Sequence, residues 1–229
     1  MALVMMKGRW VMPNYCNNHI TITGPKKVIE RLNKSIQNDG KQEGGFLDAL
    51  VPMPHEIKHT QADGTDRPNL YMKYGHNDWY GWANANWGTK WDVHEVYGPH
   101  LENIDKKSSL LTFAFDTAWS PPLTAYETFL EQNPECSITA YYYEPGCDFM
   151  GKYEDNDDEC LTASDYHLTS PEWEDNGTIL PELDDAFGIR DSMAEHEEWH
   201  DWDEDSQKVV DFTNGQDVNT ELKIGESID

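Results

Sequence analysis

Hydrophobic and polar positions alternate in several short segments of the chain, a pattern typical of β-strands with one buried face. Ile20 and Ile22 alternate with polar neighbours in a segment that a Gly-Pro pair closes. Residues 110–115 are apolar on both faces, as in a central strand, and residues 137–144 are rich in residue types that favour strands. We predict strands in these three segments and a final strand over 148–153.

Two segments between these strands have apolar residues at helical spacing. The first begins at Lys26 and ends at residues 38–40, and the second spans residues 123–132. The tryptophan-rich stretch 79–93 is predicted to supply a strand and its turns. The order β-α-β-β-α-β-β predicts an α+β fold, a ferredoxin-like sandwich with one extra strand.

The stretch 79–93 holds four of the nine tryptophans, and we expect most of them to pack in the core. The alternative is an aromatic platform on which bases or sugars stack, for which Lys90 is the one cation within the stretch. The candidate binding residues of this stretch are Trp79, Trp82, Trp87, Lys90 and Trp91.

Acidic residues are concentrated in the last third of the chain. The formal net charge is −26, and residues 151–229 hold 25 acidic and 4 basic side chains, a net charge of −21. The distribution predicts an N-terminal extension (1–11), a domain (12–153) and an acidic C-terminal extension (154–229). Such a charge excludes simple attraction to nucleic acid or to an anionic membrane.

The acidic extension supplies a second group of candidate binding residues. The run 154–159 is predicted to be a solvated loop, and a helix is predicted from Leu180 onward. The acidic candidates are Glu154, Asp155, Asp157, Asp158, Glu159, Glu195, Glu197, Glu198, Asp201, Asp203 and Glu204.

A literal H-E-x-x-H motif lies inside this extension. On a helix, His196 and His200 would share a face as zinc ligands, and Glu197 would serve as a general base. The motif is surrounded by carboxylates, whereas the helices of zinc hydrolases are apolar around it. An exposed acidic helix is therefore favoured, with incidental divalent-metal binding next and zinc hydrolysis last. Apart from such a metal, we expect no cofactor.

The four cysteines lack the paired spacing of metal ligands. The N-terminus does not resemble a signal peptide, and no window is apolar enough for a membrane span. We therefore expect free thiols in a reducing cytoplasm.

Several motifs point to a known family. The runs M-P-N-Y-C-N-N-H-I-T-I-T-G, N-W-G-T-K-W-D, F-D-T-A-W-S-P-P and Y-Y-Y-E-P-G-C-D-F-M-G resemble, in this order, the YubB-like ferredoxin-like domain family of bacteriophages and conjugative plasmids. The resemblance spans about residues 12–153 and implies a fold and a mobile-element setting, with no activity to carry over. It adds Trp119 and Glu144 to the candidate binding residues.

These observations favour a binding protein over a catalyst. We expect an accessory protein of a phage or plasmid that binds, in the bacterial cytoplasm, a host protein with a basic surface. Its acidic surface would imitate DNA and inhibit a nucleic-acid-handling or defence enzyme. One alternative is a single-stranded nucleic-acid-binding module that uses Tyr141 and Tyr143 on one strand face. The other is a metal-dependent hydrolase that uses the H-E-x-x-H run.

Overall fold

The computed structural model describes residues 4–6, 9–11, 14–37, 45–93 and 96–195. Its strands and helices are, in chain order, β1 Val4–Met6, β2 Arg9–Val11, β3 Tyr15–Pro25, α1 Lys26–Gln37, α2 Phe46–Leu50, α3 His55–Lys58, α4 Pro68–Tyr74, α5 Trp79–Asn86, β4 Val96–Asn103, β5 Ser108–Ala118, α6 Leu123–Gln132, β6 Ser137–Glu144, β7 Phe149–Glu154, β8 Asp157–Thr162 and α7 Leu180–Phe187. Two short 3₁₀ turns, Ala163–Asp165 and Pro171–Glu174, lie between β8 and α7.

One antiparallel sheet organises the molecule. Its strand order is β4-β5-β3-β6-β7-β8, while β1 and β2 pair separately. Buried and partly exposed positions alternate along β3 and β5, so one sheet face turns to the core. On that face Ile20, Phe113 and Ile138 pack in one cluster with Leu32 of α1 and Phe129 of α6.

The sheet confirms the predicted ferredoxin-like fold. In the unit β3-α1-β4-β5-α6-β6, β5 lies between β3 and β4 and is antiparallel to both, and β6 pairs with the other side of β3. This is the split β-α-β arrangement of that fold. Two strands, β7 and β8, extend the sheet beyond β6, where one was predicted.

The tryptophan-rich stretch is a helix and a turn, so the predicted strand is wrong there. Asp78 caps α5, because its side-chain oxygen accepts the Gly81 N–H at 2.9 Å. Trp79, Trp82 and Ala83 follow at the spacing of one helix face, and Trp82 and Ala83 are buried. The second strand of the ferredoxin-like unit is instead β4.

The acidic run 154–159 is also more ordered than predicted. Asp155 and Asn156 form a tight turn with positive φ angles, and the run then enters β8. β8 pairs with β7 without a register shift, from Glu154 opposite Asp157 to Phe149 opposite Thr162. Charged residues disfavour strands, but pairing with a neighbouring strand overrides that preference here.

The chain after β8 folds back over the opposite face of the sheet, which we call the outer face. Trp173, Leu180 and Leu183 are buried there in a second cluster with Met150 of β7. The predicted helix after Leu180 is present as α7 and ends at Gly188, which takes the left-handed conformation. This layer covers β6 and β7.

Candidate functional site

The predicted binding tryptophans divide between the core and the surface. Trp82 and Trp87 are buried, with their rings edge to face at 5.5 Å, and Trp87 donates its indole N–H to the Val51 carbonyl at 2.9 Å. Trp79 is half-buried against the same core. Their positions explain the packing of α5. Of the other predicted tryptophans, Trp119 is exposed and Trp91 is partly buried.

The loop after α5 and the end of β5 lie side by side. The Thr89 hydroxyl donates to the Ala118 carbonyl at 2.9 Å, and the Ser120 hydroxyl donates to the Gly88 carbonyl at 2.6 Å. Gly88 has a φ of +83°, which a side chain would strain, and a Cβ there would crowd Thr124. These bonds hold the backbone on both sides of Trp119 against the two residues that precede Lys90.

Trp119 has a strained backbone and an exposed ring. Its φ is +74°, a region that bulky residues rarely adopt, and its side chain is 40% exposed. Its N–H donates to the Asn14 carbonyl at 3.0 Å, which fixes the turn. A strained, exposed aromatic residue is a reasonable starting point for a functional hypothesis.

Lys90 lies among aromatic rings. Its ammonium is 4.5 Å from the centre of the Trp91 ring and 5.9 Å from that of Tyr80. Partial burial lowers the pKa of Lys90. We define the Lys90 surface as Tyr80, Lys90, Trp91 and Trp119. Tyr80 was not among the predicted residues, because a strand was predicted where Tyr80 is the second residue of helix α5.

Glu144, the other candidate from the resemblance, is enclosed. It is 1% exposed, and its carboxylate accepts the Cys147 N–H. The Glu144 hydrogen bond raises the pKa of the exposed Cys147 thiol, and burial raises that of the Cys16 thiol. Both cysteines therefore favour the neutral thiol, which is a weak nucleophile.

The acidic candidates of the hairpin 154–159, here called the acidic hairpin, form a second surface. Asp155 accepts the Ile138 N–H at 2.8 Å and the Ser137 hydroxyl at 2.9 Å, and Asp158 accepts the Tyr142 hydroxyl at 2.7 Å. These bonds anchor two carboxylates to β6, two strands away from β8. The orientation of the hairpin is therefore fixed by the sheet.

Gly151 makes the bond between Tyr142 and Asp158 possible. Tyr142 lies opposite Gly151 on the core face, and a methyl group at Gly151 would overlap the tyrosine ring and hydroxyl. Because Gly151 has no side chain, the Tyr142 side chain can pass over β7 and reach Asp158 on β8. A glycine opposite an aromatic residue across a strand pair was the available sequence signal for this contact.

Asp157 and Glu159 project from the acidic hairpin without compensation. Both are exposed, and no basic side chain of the described residues lies within ion-pair distance of either. Lys152 lies opposite Glu159 on β7, but its ammonium pairs with Glu154 at 3.4 Å and with Glu182 at 3.0 Å. Within the described chain β8 has a strand neighbour on one side only, so its other backbone edge faces outward.

Tyr141 and Tyr143, proposed above to stack bases, are covered by α7. The Tyr141 hydroxyl donates to Glu182 at 2.6 Å, and the Tyr143 ring contacts Phe187 at 6.1 Å between centres. Both tyrosines are partly buried against this layer. The single-stranded nucleic-acid alternative stays a prediction.

The remaining candidates fall at the end of the described chain. Glu195 is the last described residue and is exposed. Outside the described residues lie His196, Glu197, Glu198, His200, Asp201, Asp203 and Glu204, and with them the whole H-E-x-x-H motif. Among the residues that the structure describes, no group of three or more His, Cys, Asp or Glu side chains is placed to hold a metal ion. No helix described in the chain is long and apolar enough to cross a bilayer.

Comparison with known proteins adds one sequence match and one structural match. Residues 86–181 match the family model described as the ferredoxin-like domain in Api92-like protein. The crystal structure of a protein Api92 from Yersinia pseudotuberculosis superposes with a TM-score of 0.33 at 10% sequence identity, over 68% of this chain and 96% of that chain. A search of the curated proteins finds no match. Residues 86–181 are thus similar to the ferredoxin-like domain of Api92-like proteins, and the sheet has the topology that this description states.

Proposed function

We propose that this chain is a binding protein that docks a basic partner protein on the acidic hairpin and the adjoining edge of β8. The observation that carries the proposal is an outward-facing strand edge beside two exposed, uncompensated carboxylates, Asp157 and Glu159. A partner segment with Lys or Arg would neutralise these charges and satisfy the strand edge at the same time.

The electrostatic field around the hairpin supports the proposal. Residues 151–195 contain 14 acidic and two basic side chains. Both basic side chains are already paired, Lys152 with Glu182 and Arg190 with Asp184 at 2.8 Å. The remaining negative charge attracts basic surfaces and repels acidic ones, which raises the association rate with the right partner.

The anchored carboxylates preorganise the surface for binding. Because Asp155 and Asp158 are held by side-chain and backbone donors from β6, the hairpin loses little conformational freedom when a partner docks. A preorganised surface binds more tightly than a mobile one of the same charge.

The spacing of the charges supports imitation of DNA. Asp157 and Glu159 are two residues apart on a strand, so their side chains share one face about 6.6 Å apart, since each residue advances by about 3.3 Å. One strand of DNA carries a phosphate for each ~3.4 Å of helix axis. Together with the resemblance to the YubB-like family of phages and plasmids, this favours a nucleic-acid-handling host protein as the partner.

Affinity capture with matched variants tests the proposal. The tagged chain is incubated with bacterial lysate at low and at high salt, beside Asp157→Asn/Glu159→Gln. The control Asp66→Asn/Glu102→Gln removes the same charge from exposed positions away from the hairpin. At low salt, we expect the wild type and the control to capture a basic, nucleic-acid-handling protein. The hairpin variant should not capture it, and high salt should release it. Capture that is unchanged by high salt and by the hairpin substitutions would contradict the proposal.

A further inference from the structure

The residues around Lys90 form hydrogen bonds that stabilise the fold, whereas Lys90 forms none to a described residue. Trp87 and Thr89 bond to Val51 and Ala118, as described above. Asp92 accepts the Leu47 N–H at 2.7 Å and the Asp48 N–H at 3.0 Å, and so caps α2. Lys90 makes no hydrogen bond or ion pair to another described residue.

This isolation is unusual because the chain is so acidic. The sequence has 43 acidic side chains for 17 basic ones, so a lysine has many potential partners. In the part of the chain that the structure describes, no carboxylate lies within 4.0 Å of the Lys90 ammonium. The ammonium instead lies over two rings and is partly withdrawn from water, which strengthens its attraction to an added anion.

Trp119 supplies an exposed aromatic face on a turn that is bonded to Gly88 and Thr89, the two residues before Lys90. Its backbone is held against Gly88 and Thr89, and its ring stays exposed despite the cost of a positive φ. Exposed aromatic faces beside a cation are the elements that proteins use to hold a ring that carries negative charge.

We propose that the Lys90 surface binds a small ligand in which a planar ring carries an anionic group. Lys90 would contact the anion, and Trp119 would stack on the ring. A nucleoside monophosphate and an aromatic carboxylate share this chemistry. A long polyanion is disfavoured, because the net charge of −26 repels it while a single lysine offers it one contact.

Titration followed by NMR of the tryptophan indole N–H groups tests the proposal on the full chain. The signals of Trp91 and Trp119 are assigned with Trp91→Phe and Trp119→Phe variants. The probes are adenosine monophosphate, adenosine, inorganic phosphate and phenylacetate. We expect adenosine monophosphate or phenylacetate to shift both signals, and adenosine and phosphate alone to bind at least tenfold more weakly. The tighter of the two anionic probes identifies the source of the ligand.

Lysine variants provide the control. Lys90→Met keeps the aliphatic stem and should weaken binding about tenfold, since a charge-assisted contact is lost, while Lys90→Arg should restore most of it. Lys107→Met removes an exposed lysine from the β4–β5 turn and should have no effect. The proposal is overturned if no probe shifts these signals, if adenosine binds as well as its monophosphate, or if Lys90→Met binds like the wild type. Asp157→Asn/Glu159→Gln should leave this binding unchanged, which separates it from the acidic hairpin.

Discussion

The two edges of the sheet are protected from unwanted pairing in different ways. The edge strand β4 has an irregular register between Tyr97 and His100, where Gly98 takes a positive φ and Pro99 lacks an N–H. The edge strand β8 pairs with β7 in continuous register and carries Asp157, Asp158 and Glu159 instead. One edge is thus closed by backbone geometry and the other by charge.

The difference has a consequence for function. An edge distorted by a bulge and a proline rejects every partner strand, whereas an edge protected by charge rejects only partners that fail to neutralise it. Under the proposed function, we therefore expect β8 to select partners that neutralise its charge and β4 to bind none. For this reason we assign the docking of a basic partner to β8.

The largest expected effect on stability comes from adding a side chain at Gly151 of β7, where the Tyr142 side chain passes. Gly151→Ala should lower the free energy of unfolding by about 3 kcal/mol, because the added methyl must displace the buried Tyr142 ring and strain the strand. Gly98→Ala on the other edge meets open space and should cost only about 1 kcal/mol, from its positive φ. Chemical denaturation of both variants checks the ranking, and equal losses would contradict the role given to Gly151.

Removing the hydroxyl that anchors the acidic hairpin should have a smaller effect. Tyr142→Phe loses the hydrogen bond to Asp158 and should lower the free energy of unfolding by about 1 kcal/mol. The matched variant Tyr71→Phe changes a tyrosine that is 58% exposed, and should alter the free energy of unfolding by less than about 0.5 kcal/mol. If the two variants unfold alike, the bond does not anchor the hairpin.

Much of the fold could be predicted because its signals are local. The strand Ser137–Glu144 and the helix Leu123–Gln132 were predicted with the bounds that the structure has, since Pro and Gly punctuate both. The strand β8 could not be predicted, because a run of acidic residues forms a strand only when β7 pairs with it. The helix α5 was missed because tryptophans favour strands, and the cap at Asp78 was overlooked.

The pH dependence of α7 docking gives a third, smaller effect. Hydrogen bonds from Tyr141 and Lys152 lower the pKa of Glu182 below its ordinary value of 4.5. The ionised form is therefore favoured in the folded state, and its contribution is fully present above pH 4.5 and lost as the pH falls below it. Glu182 is 47% exposed, so this contribution is about 0.5 kcal/mol. The free energies of unfolding of wild type and Glu182→Gln should differ by this amount near pH 6 and converge as the pH falls through the lowered pKa of Glu182; a constant difference would contradict the assignment.

The smallest effect on stability is expected where charge alone protects the edge. Asp157→Asn/Glu159→Gln should change the free energy of unfolding by less than about 0.5 kcal/mol, since both side chains are exposed. The same variant should self-associate, because the uncovered edge of β8 becomes available to a second copy. Analytical ultracentrifugation at low salt checks this, with Glu102→Gln on β4 expected to sediment like the wild type. A double variant that sediments like the wild type would show that charge is not what protects β8.

The candidate sites could be predicted only as separate residues. Lys90 and Trp119 were both singled out in the sequence, but the bonds from Thr89 and Ser120 that bring them together depend on the folded chain. Asp157 and Glu159 were identified as acidic, but not as part of a strand edge. The H-E-x-x-H motif lies outside the described residues and stays a prediction.

The most direct test of the central claim is a hydrogen-exchange footprint of the captured basic partner on the full chain. We predict that the partner slows amide exchange along β8, over Asp157–Thr162, and leaves β4 unchanged, with the protection lost at high salt. Protection that falls on β4 or on the Lys90 surface instead, or that persists at high salt, would contradict docking on the acidic edge.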